Sequence, residues 1–503
     1  MARERWGTKT GFLLAAIGSA VGLGNIWRFP YICATNGGGA FLLPYFFAII
    51  TAGIPILILE FTIGQKYRGG APTALGRMNK KWEWLGWFQA AVAFFIATYY
   101  SVIVAWSISY MGFSVKQTWG SDTGEFFISK YLGASAGPLQ IGGVKLQVLI
   151  PFLAVWLIGY LILSKGIKNG IEKANRVIMP TLLVLTGIIV VRGITLPGAI
   201  DGLNYLFTPD WSSIFKPGVW VAAYSQIFFS LSIAFAIMIT YASYLPEKTD
   251  LVNSSFITAF SNHGFELFVA LGVFGVLGYM AGVQGIDVAD VSTGGVGLAF
   301  IAFPEAISAL PALKSVVGVV FFATLVFAGF TSFISIIEAY ITGVIDKFEM
   351  PRQKALNIFV GISFAVGLVF VTGAGLHVLD ILDYFVNNFG IVLGGILEVV
   401  LIGWFFDLES LRIHANQYSD FAVGKWWNFM IKFVTPLVLG VMFLQNLVEN
   451  LFTRYEGYPL SALLLIGWGS FILCFVFAFI FYYRKGAAPI SIFPSDKGGM
   501  NEL

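Results

Sequence analysis

The stretch Gly18-Ser-Ala-Val-Gly-Leu-Gly-Asn-Ile-Trp-Arg-Phe-Pro30 interrupts an otherwise apolar segment near the start of the chain. A helix in lipid must satisfy its backbone internally, yet three glycines weaken this helix and Pro30 removes a hydrogen-bond donor. Glycines alone would also suit close helix packing. Asn25 and Arg28 do not, because a charge at membrane depth is costly unless it is paired or faces water. The stretch therefore predicts a membrane helix that unwinds around a polar ligand.

The composition is that of a polytopic membrane protein. The 503 residues are 57% hydrophobic and 11% charged, whereas soluble domains carry about 25% charged residues. The net charge is +3, and the sequence contains no run of basic residues that would indicate nucleic-acid binding. No obligatory protein partner is evident. Cys33 and Cys474 both fall in apolar segments, so no disulfide framework is expected.

Apolar segments of about 20 residues predict an all-α protein with twelve transmembrane helices. Lys and Arg are in excess on the side of the N-terminus, which places both termini in the cytoplasm of a cell (plasma) membrane protein. The predicted spans are 11–35, 40–65, 87–113, 146–164, 176–196, 217–245, 253–282, 314–345, 355–374, 377–406, 427–448 and 459–483.

Spans 1 and 6 hold corresponding places in two five-span halves. Span 6 carries a second polar interruption, Phe229-Ser-Leu-Ser232, and an odd number of spans gives the halves opposite topology. Paired broken helices in an inverted repeat predict a substrate site at the midplane. The predicted units are 1–200 and 201–406 as the two repeats, and 407–503 as accessory spans 11 and 12 with a cytoplasmic tail. The outer loop 283–313 is expected to contain short helices near 297–303 and 306–312.

Several side chains and backbone groups could bind ions at these breaks. Unwinding frees backbone N–H groups, which favour anions, and carbonyls, which favour cations. Asn25 and Asn262 supply neutral amide oxygens suited to Na⁺. Thr331 and Ser332 add adjacent hydroxyls, although hydroxyls in membrane helices often bond to their own preceding turn.

Charged residues within the spans suggest gates. Arg28 needs an anion, and Asp383 lies at a comparable depth in span 10. The two could open and close above the site or form a fixed buried pair. Arg3 and Asp346 could form a latch on the cytoplasmic side or an ordinary weak surface pair. Glu266 lies four residues after Asn262, on the same helix face. No nucleophile–base pair or phosphate loop indicates an enzyme.

At this level of detail the chain resembles the neurotransmitter:sodium symporters, especially their prokaryotic amino-acid members. The likeness covers about residues 3–405 and implies a leucine-transporter-type 5+5 inverted repeat with spans 1 and 6 unwound. The motifs that carry it are Arg3-Glu-Arg-Trp6, Gly22-Leu-Gly-Asn-Ile-Trp-Arg-Phe-Pro30, Asn36-Gly-Gly-Gly-Ala-Phe41, Gly170-x9-Pro180, Gln226-Ile-Phe-Phe-Ser-Leu-Ser232, Tyr241-Ala-Ser-Tyr244 and Ala328-Gly-Phe-Thr-Ser332.

The resemblance implies two Na⁺ sites, a substrate pocket and two gates. The first Na⁺ site would use Ala20, Asn25, Ser230, Asn262 and the substrate carboxylate, and the second Gly18, Val21, Ala328, Thr331 and Ser332. The substrate would meet Ser19, Ala20, Leu23, Gly24, Ile96, Tyr100, Phe229, Ser230, Ser232, Phe235, Ser332 and Ile336. Gates would involve Arg28, Asp383 and Gln226 outside and Arg3, Asp346 and Tyr244 inside, while Glu60 and Glu398 would steady the unwound part of span 6.

Differences within the family predict the substrate class. Monoamine carriers have an Asp where this chain has Gly22, and chloride-dependent members have a small neutral residue where it has Glu266. Ala234 and Ala236 replace glycines of the leucine transporter, so each methyl is expected to take pocket volume or stiffen the break. We therefore expect a chloride-independent, Na⁺-coupled symporter of small neutral amino acids. The alternatives are a carrier of GABA-like or other ω-amino acids, a carrier of a larger hydrophobic amino acid, or a channel or transport-inactive receptor.

Overall fold

The computed structural model describes residues 3–291 and 294–486, and its regular structure there is helical. Ten helices are long and apolar enough to cross a membrane, and a bent pair adds an eleventh. With the numbers of the predicted spans, the bent pair is span 1, Lys9–Ala20 and Leu23–Thr35. The ten are Gly39–Tyr67, Lys80–Ser114, Leu146–Ser164, Ile167–Ile194, Leu251–Gln284, Lys314–Phe348, Arg352–Val371, Gly375–Phe405, Lys425–Gly457 and Leu460–Tyr483, which are spans 2–5 and 7–12.

Span 1 is broken where the glycine-rich stretch predicts it. Its first half is capped by Thr8, whose hydroxyl accepts the N–H of Gly11 at 2.9 Å. The helix ends at Ala20, Val21 and Gly22 are extended, and the second half leaves at an angle of 49°. The two halves of the span are therefore separate helices joined by two extended residues.

Span 6 is broken more widely. Its two helices, Pro217–Ser230 and Ile237–Ala242, are separated by six residues and are individually too short to span a membrane. Ser232, Ala234 and Ala236 in this gap have φ values of +53°, +70° and +73°. This left-handed region costs an L-residue about 1–2 kcal/mol, so the surrounding structure must hold the break open.

The bundle has a buried centre and a lipid-facing rim. In the most apolar window of span 3, 89% of the residues are buried, whereas the corresponding share in span 11 is 22%. Spans 3 and 8 therefore run through the core, and spans 11 and 12 lie at the periphery.

The loops carry short helices that the sequence only partly predicts. The two pieces expected near 297–303 and 306–312 form one helix, Gly295–Ala309. Further helices, Ala71–Met78, Ala199–Phe207 and Leu408–Asn416, lie between spans. The predicted cytoplasmic tail beyond residue 486 lies outside the described residues.

Candidate functional site

A cavity of about 700 Å³ starts at the two helix breaks and extends towards one end of the bundle. At its deep end lie Ser19 and Ser232, next to the breaks, and at its far end lie His377 and Tyr458. Every residue predicted to bind substrate lines this cavity: Ser19, Ala20, Leu23, Gly24, Ile96, Tyr100, Phe229, Ser230, Ser232, Phe235, Ser332 and Ile336. The structure thus brings together residues from spans 1, 3, 6 and 8.

The break in span 1 redirects its backbone hydrogen bonds. The N–H of Gly22 donates to Asn25 Oδ1 at 2.8 Å, instead of to the carbonyl of Gly18 four residues back. The N–H of Leu23 donates to the hydroxyl of Tyr100 at 3.3 Å. The start of the helix Leu23–Thr35 therefore points its N–H groups into the cavity, where a helix N-terminus favours an anion.

The side chains predicted for the first Na⁺ site form one buried chain of hydrogen bonds. Asn25 Nδ2 donates to Asn262 Oδ1 at 2.8 Å, and Asn262 Nδ2 donates to Ser230 Oγ at 3.2 Å. These groups come from spans 1, 7 and 6 and are at most 2% exposed. Neutral amide and hydroxyl oxygens beside a carbonyl of the break are a donor set that fits Na⁺.

Of the hydroxyls predicted for the second Na⁺ site, that of Ser332 belongs to a residue lining the cavity, whereas Thr331 is fully buried and does not line it. Thr331 and Ser332 donate to the carbonyl of Ala328 at 2.9 and 3.4 Å, as hydroxyls in membrane helices commonly do. Ser332 also donates to the carbonyl of Ser19 at 3.0 Å, which joins span 8 to the break in span 1. The hydroxyl and carbonyl oxygens of both elements therefore lie close together.

Close contacts explain why two glycines are needed here. A methyl group on Gly24 would overlap the ring of Phe229. A methyl group on Gly22 would lie 2.8 Å from Ser332 Oγ and 3.0 Å from the hydroxyl of Tyr100. In this structure a side chain at position 22 would therefore require these two hydroxyls to move.

Of the two effects expected of Ala234 and Ala236, a smaller pocket or a stiffer break, the structure favours the second. Neither residue lines the cavity, and the methyl of Ala234 points towards Gly395 of span 10. Their effect is on the backbone, because both have the positive φ values that glycine would adopt without strain. Glu60 holds this conformation by accepting the N–H of Ala234 at 2.5 Å. Glu398 does not contact that N–H, and instead accepts from Gln89 Nε2 at 2.6 Å.

The predicted outer pair of Arg28 and Asp383 is not formed. Both residues line the cavity, but Arg28 donates to Gln226 Oε1 at 2.6 Å and to Ser225 Oγ at 3.0 Å. Asp383 accepts from Asn387 Nδ2 at 2.7 Å. The reason is the open cavity, which separates span 1 from span 10 at this level, so each charged group bonds to its own side.

The inner latch is closed. Arg3 Nη1 lies 2.6 Å from Asp346 Oδ1, and both side chains are less than 10% exposed. The guanidinium also packs over the ring of Tyr244 at 4.8 Å and donates to Ser243 Oγ at 2.6 Å. This pair is buried and multiply bonded, unlike the weak surface pair that was the alternative. The cavity is therefore open at one end and shut at the other.

Comparison with known proteins identifies the family. The model of the sodium:neurotransmitter symporter family matches residues 3–123 and 116–485. The chain is 43% identical to an uncharacterized sodium-dependent transporter of Methanocaldococcus jannaschii, over 91% of this chain and 93% of that protein. The chain belongs to the sodium:neurotransmitter symporter family.

Other symporters of the family show how widely its members differ in substrate. The chain is 31% identical to an uncharacterized sodium-dependent transporter of Haemophilus influenzae, over 88% of this chain and 98% of that protein. It is 30% identical to a sodium-dependent dopamine transporter of Caenorhabditis elegans, over 91% of this chain and 82% of that protein. This symporter is thus a sodium-dependent integral membrane transporter and not an enzyme, while its substrate has to be argued from its own residues.

The symporter contains a buried polar cluster that sequence reasoning found only in part. Glu266 accepts from Gln226 Nε2 at 2.7 Å, as well as from the hydroxyl of Tyr45. His263 Nδ1 lies 2.6 Å from that hydroxyl and 3.1 Å from the carboxylate of Glu266. The spacing of His263 one turn before Glu266 was a usable signal, whereas the approach of Tyr45 from span 2 depends on tertiary packing.

The symporter's inner latch likewise extends beyond the predicted residues. The hydroxyl of Tyr244 donates to Glu338 Oε1 at 2.8 Å, and Glu338 forms an ion pair with Arg352 at 2.5 Å. Glu338 lies two turns before Asp346 on span 8. An acidic residue at that spacing could have indicated that the latch continues into the bundle.

Proposed function

We propose that this protein is a Na⁺-coupled secondary active symporter of small neutral amino acids that works by alternating access. The observation that carries the proposal is the combination of one cavity, open at one end, with a closed latch at the other. The cavity ends at the two helix breaks, where anion-binding N–H groups and cation-binding oxygens lie side by side. A cavity that is open at one end and closed at the other gives access from one side at a time, which favours a carrier over the channel or receptor alternative.

The proposed Na⁺ sites use only oxygen atoms. The first would use the carbonyl of Ala20 and the side chains of Asn25, Asn262 and Ser230, completed by the substrate carboxylate. Supporting this, the three side chains are already joined by hydrogen bonds of 2.8 and 3.2 Å. The second would use the carbonyls of Gly18, Val21 and Ala328 with the hydroxyls of Thr331 and Ser332.

The proposed substrate orientation follows from the polarity of the breaks. The carboxylate would accept from the N–H groups of Leu23 and Gly24 at the helix N-terminus, and the hydroxyl of Tyr100 would turn towards it. The amino group would meet the carbonyls and hydroxyls of Ala20, Phe229, Ser230 and Ser232. A substrate carboxylate in this place completes the first Na⁺ site, which couples substrate binding to Na⁺ binding.

A small side chain is favoured by Ser19. Its hydroxyl is 1% exposed and has no hydrogen-bond partner among the described residues, although Ser19 lines the cavity. A buried hydroxyl without a partner costs about 1–3 kcal/mol, and a bulky apolar side chain against it would prevent a water from recovering that free energy. A small side chain leaves space for water beside it. The absence of an acid at position 22 further disfavours monoamines.

Chloride independence is proposed from Glu266. Its side chain is fully buried and accepts hydrogen bonds from Gln226 and Tyr45, one turn after Asn262 on the same helix. A carboxylate in this place would supply, when ionised, the negative charge that Cl⁻ brings to chloride-dependent members of the family. An added anion would be repelled from this position.

The proposed arrangement in the membrane follows the repeat. Residues 1–200 and 201–406 would form the two inverted repeats, and 407–503 would carry accessory spans 11 and 12 with the cytoplasmic tail. We place the protein in the cell membrane, with the latch of Arg3 and Asp346 and both termini on the cytoplasmic side.

The substrate is tested by a thermal-shift screen of amino acids with and without Na⁺ and Cl⁻. Ligands stabilise the folded state according to their affinity. Alanine or glycine is expected to stabilise most, only with Na⁺ and equally without Cl⁻. Equal or greater stabilisation by leucine or tryptophan would refute the substrate size, and by GABA would favour the ω-amino-acid carrier.

A further inference from the structure

The interface between span 1 and span 5 is polar on the cytoplasmic side of the break. Gly11 and Gly18 lie seven residues apart on one face of span 1, and Glu172 and Asn175 lie one turn apart on span 5. A methyl group on Gly11 would overlap the carboxyl group of Glu172, and one on Gly18 would overlap Asn175 Oδ1. Two oxygen-bearing side chains therefore lie directly against the backbone of span 1.

Asn175 has an amide oxygen without a donor. The residue is fully buried, and its Nδ2 donates to the carbonyl of Ile171 at 2.9 Å. Its Oδ1 has no hydrogen-bond partner among the described residues. A buried polar atom of this kind costs about 1–3 kcal/mol and calls for a water or an ion. This amide oxygen faces Gly18. In a continuous helix the carbonyl of Gly18 would accept the N–H of Gly22, but here that N–H donates to Asn25 Oδ1 instead.

Glu172 continues this row of oxygens towards the cytoplasmic end. Its side chain is 2% exposed and lies 2.5 Å from the guanidinium of Arg176. It also accepts the N–H of Gly7 at 2.6 Å and the hydroxyl of Thr8 at 3.0 Å. These last two donors belong to the segment between Arg3 and span 1, so opening of the inner latch would remove them and leave the carboxylate with Arg176 as its partner.

We propose that Asn175 Oδ1 and the carboxylate of Glu172 form a transit site for Na⁺ between the second Na⁺ site and the cytoplasm. This inference rests on the proposed function, in which Gly18 supplies a carbonyl to the second site. Sodium prefers oxygen ligands, such as a neutral amide oxygen, and ionisable groups inside a membrane bundle mark ion pathways. When the first half of span 1 parts from span 5, the ion moves along the row from Gly18 to Asn175 and then to Glu172.

The test is inhibition of net amino-acid uptake by Na⁺ inside proteoliposomes, with the labelled amino acid that stabilises the wild type most. Asn175→Ala removes the oxygen and is expected to raise the half-inhibiting internal Na⁺ concentration about tenfold. Asn175→Asp adds a charge and is expected to lower it about tenfold. Thr181→Val, on the exposed face of the same span, is the control and should stay within twofold. As a second measurement, the Na⁺ concentration that gives half-maximal heat stabilisation of the solubilised protein should stay within twofold of the wild-type value in all variants.

The proposal would be overturned if the half-inhibiting internal Na⁺ concentration shifted in the same direction in both Asn175 variants, or changed in neither variant. Asn175 would then be a packing residue. A parallel change in the Na⁺ concentration for half-maximal heat stabilisation would assign Asn175 to the second Na⁺ site instead. Equilibrium binding of ²²Na⁺ to Arg3→Ala protein, with and without Asn175→Ala or Asn175→Asp, does not depend on transport. If the wild type shows no Na⁺-driven uptake, the proposed function fails. An unchanged ²²Na⁺ affinity in both double variants refutes the transit site independently.

Discussion

Replacing Thr331 by valine isolates the contribution of one proposed Na⁺ ligand. Valine has the shape of threonine without the hydroxyl. Among the described residues, the hydroxyl of Thr331 bonds only within its own helix, to the carbonyl of Ala328 at 2.9 Å and that of Phe327 at 3.4 Å. Its loss leaves no donor unpaired, so the ion-free protein should change in stability by less than about 1 kcal/mol. The melting temperature without Na⁺ should therefore stay within about 3 °C.

Sodium affinity should respond much more strongly. A hydrogen bond or ligand contact to a charged group contributes about 1.5–3 kcal/mol, which corresponds to a rise of about ten- to hundredfold in half-saturating Na⁺. The assay is a Na⁺ titration of the melting temperature. Thr324→Val is the matched control, because Thr324 lies two turns earlier on span 8, is 3% exposed and donates to the carbonyl of Val320 at 2.8 Å. An unchanged Na⁺ requirement in Thr331→Val, or an equal change in Thr324→Val, would refute the second Na⁺ site.

Three further substitutions test the latch, a loop contact and the substrate pocket. Arg3→Ala removes one partner of a buried ion pair, which costs the closed latch about 3–5 kcal/mol. Cysteines placed on the cytoplasmic side of the cavity should then be labelled faster by a thiol reagent, and unchanged labelling would contradict the latch. Burial lowers the pKa of His414, in the loop helix before span 11, from 6.5 to about 4. The unfolded chain therefore binds the proton first as the pH falls, and stability should drop by about 2 kcal/mol between pH 7 and pH 5, but not in His414→Gln. Gly24→Ala pushes a methyl group into Phe229 and should abolish stabilisation by substrate, whereas Gly112→Ala, which has open space around it, should not; equal binding in both would argue against the pocket.

The helices could be predicted from sequence because lipid imposes a simple rule. Each span needs about 20 apolar residues, and most observed spans begin and end within several residues of the predicted ones. The largest shifts are at the start of span 5, Ile167–Ile194, and at the end of span 11, Lys425–Gly457. The breaks were predictable for the opposite reason, because residues such as Gly22 and Asn25 are unfavourable in a continuous membrane helix. The loop helices are less regular, and only the region around Gly295–Ala309 was anticipated.

What the sequence left open depends on conformation and on packing between distant spans. Arg28 has partners available on span 6 and span 10, and only the open cavity decides that it bonds to Gln226 in this state. The position of Ala234 in the break was foreseen, but not that its methyl turns towards Gly395 and away from the cavity. Side-chain direction in an irregular segment is set by φ and ψ, which the residue type alone does not determine when alanine adopts a left-handed conformation.

Uptake of labelled alanine into proteoliposomes tests the central claim most directly. With Na⁺ outside and K⁺ inside, alanine should accumulate above its external concentration, without a need for Cl⁻, and leak out when the Na⁺ gradient is collapsed. A carrier driven by Na⁺ must concentrate its substrate, because the ion gradient supplies the free energy. Equilibration without accumulation, or uptake that is unchanged when K⁺ replaces Na⁺, would contradict Na⁺-coupled transport of a small amino acid.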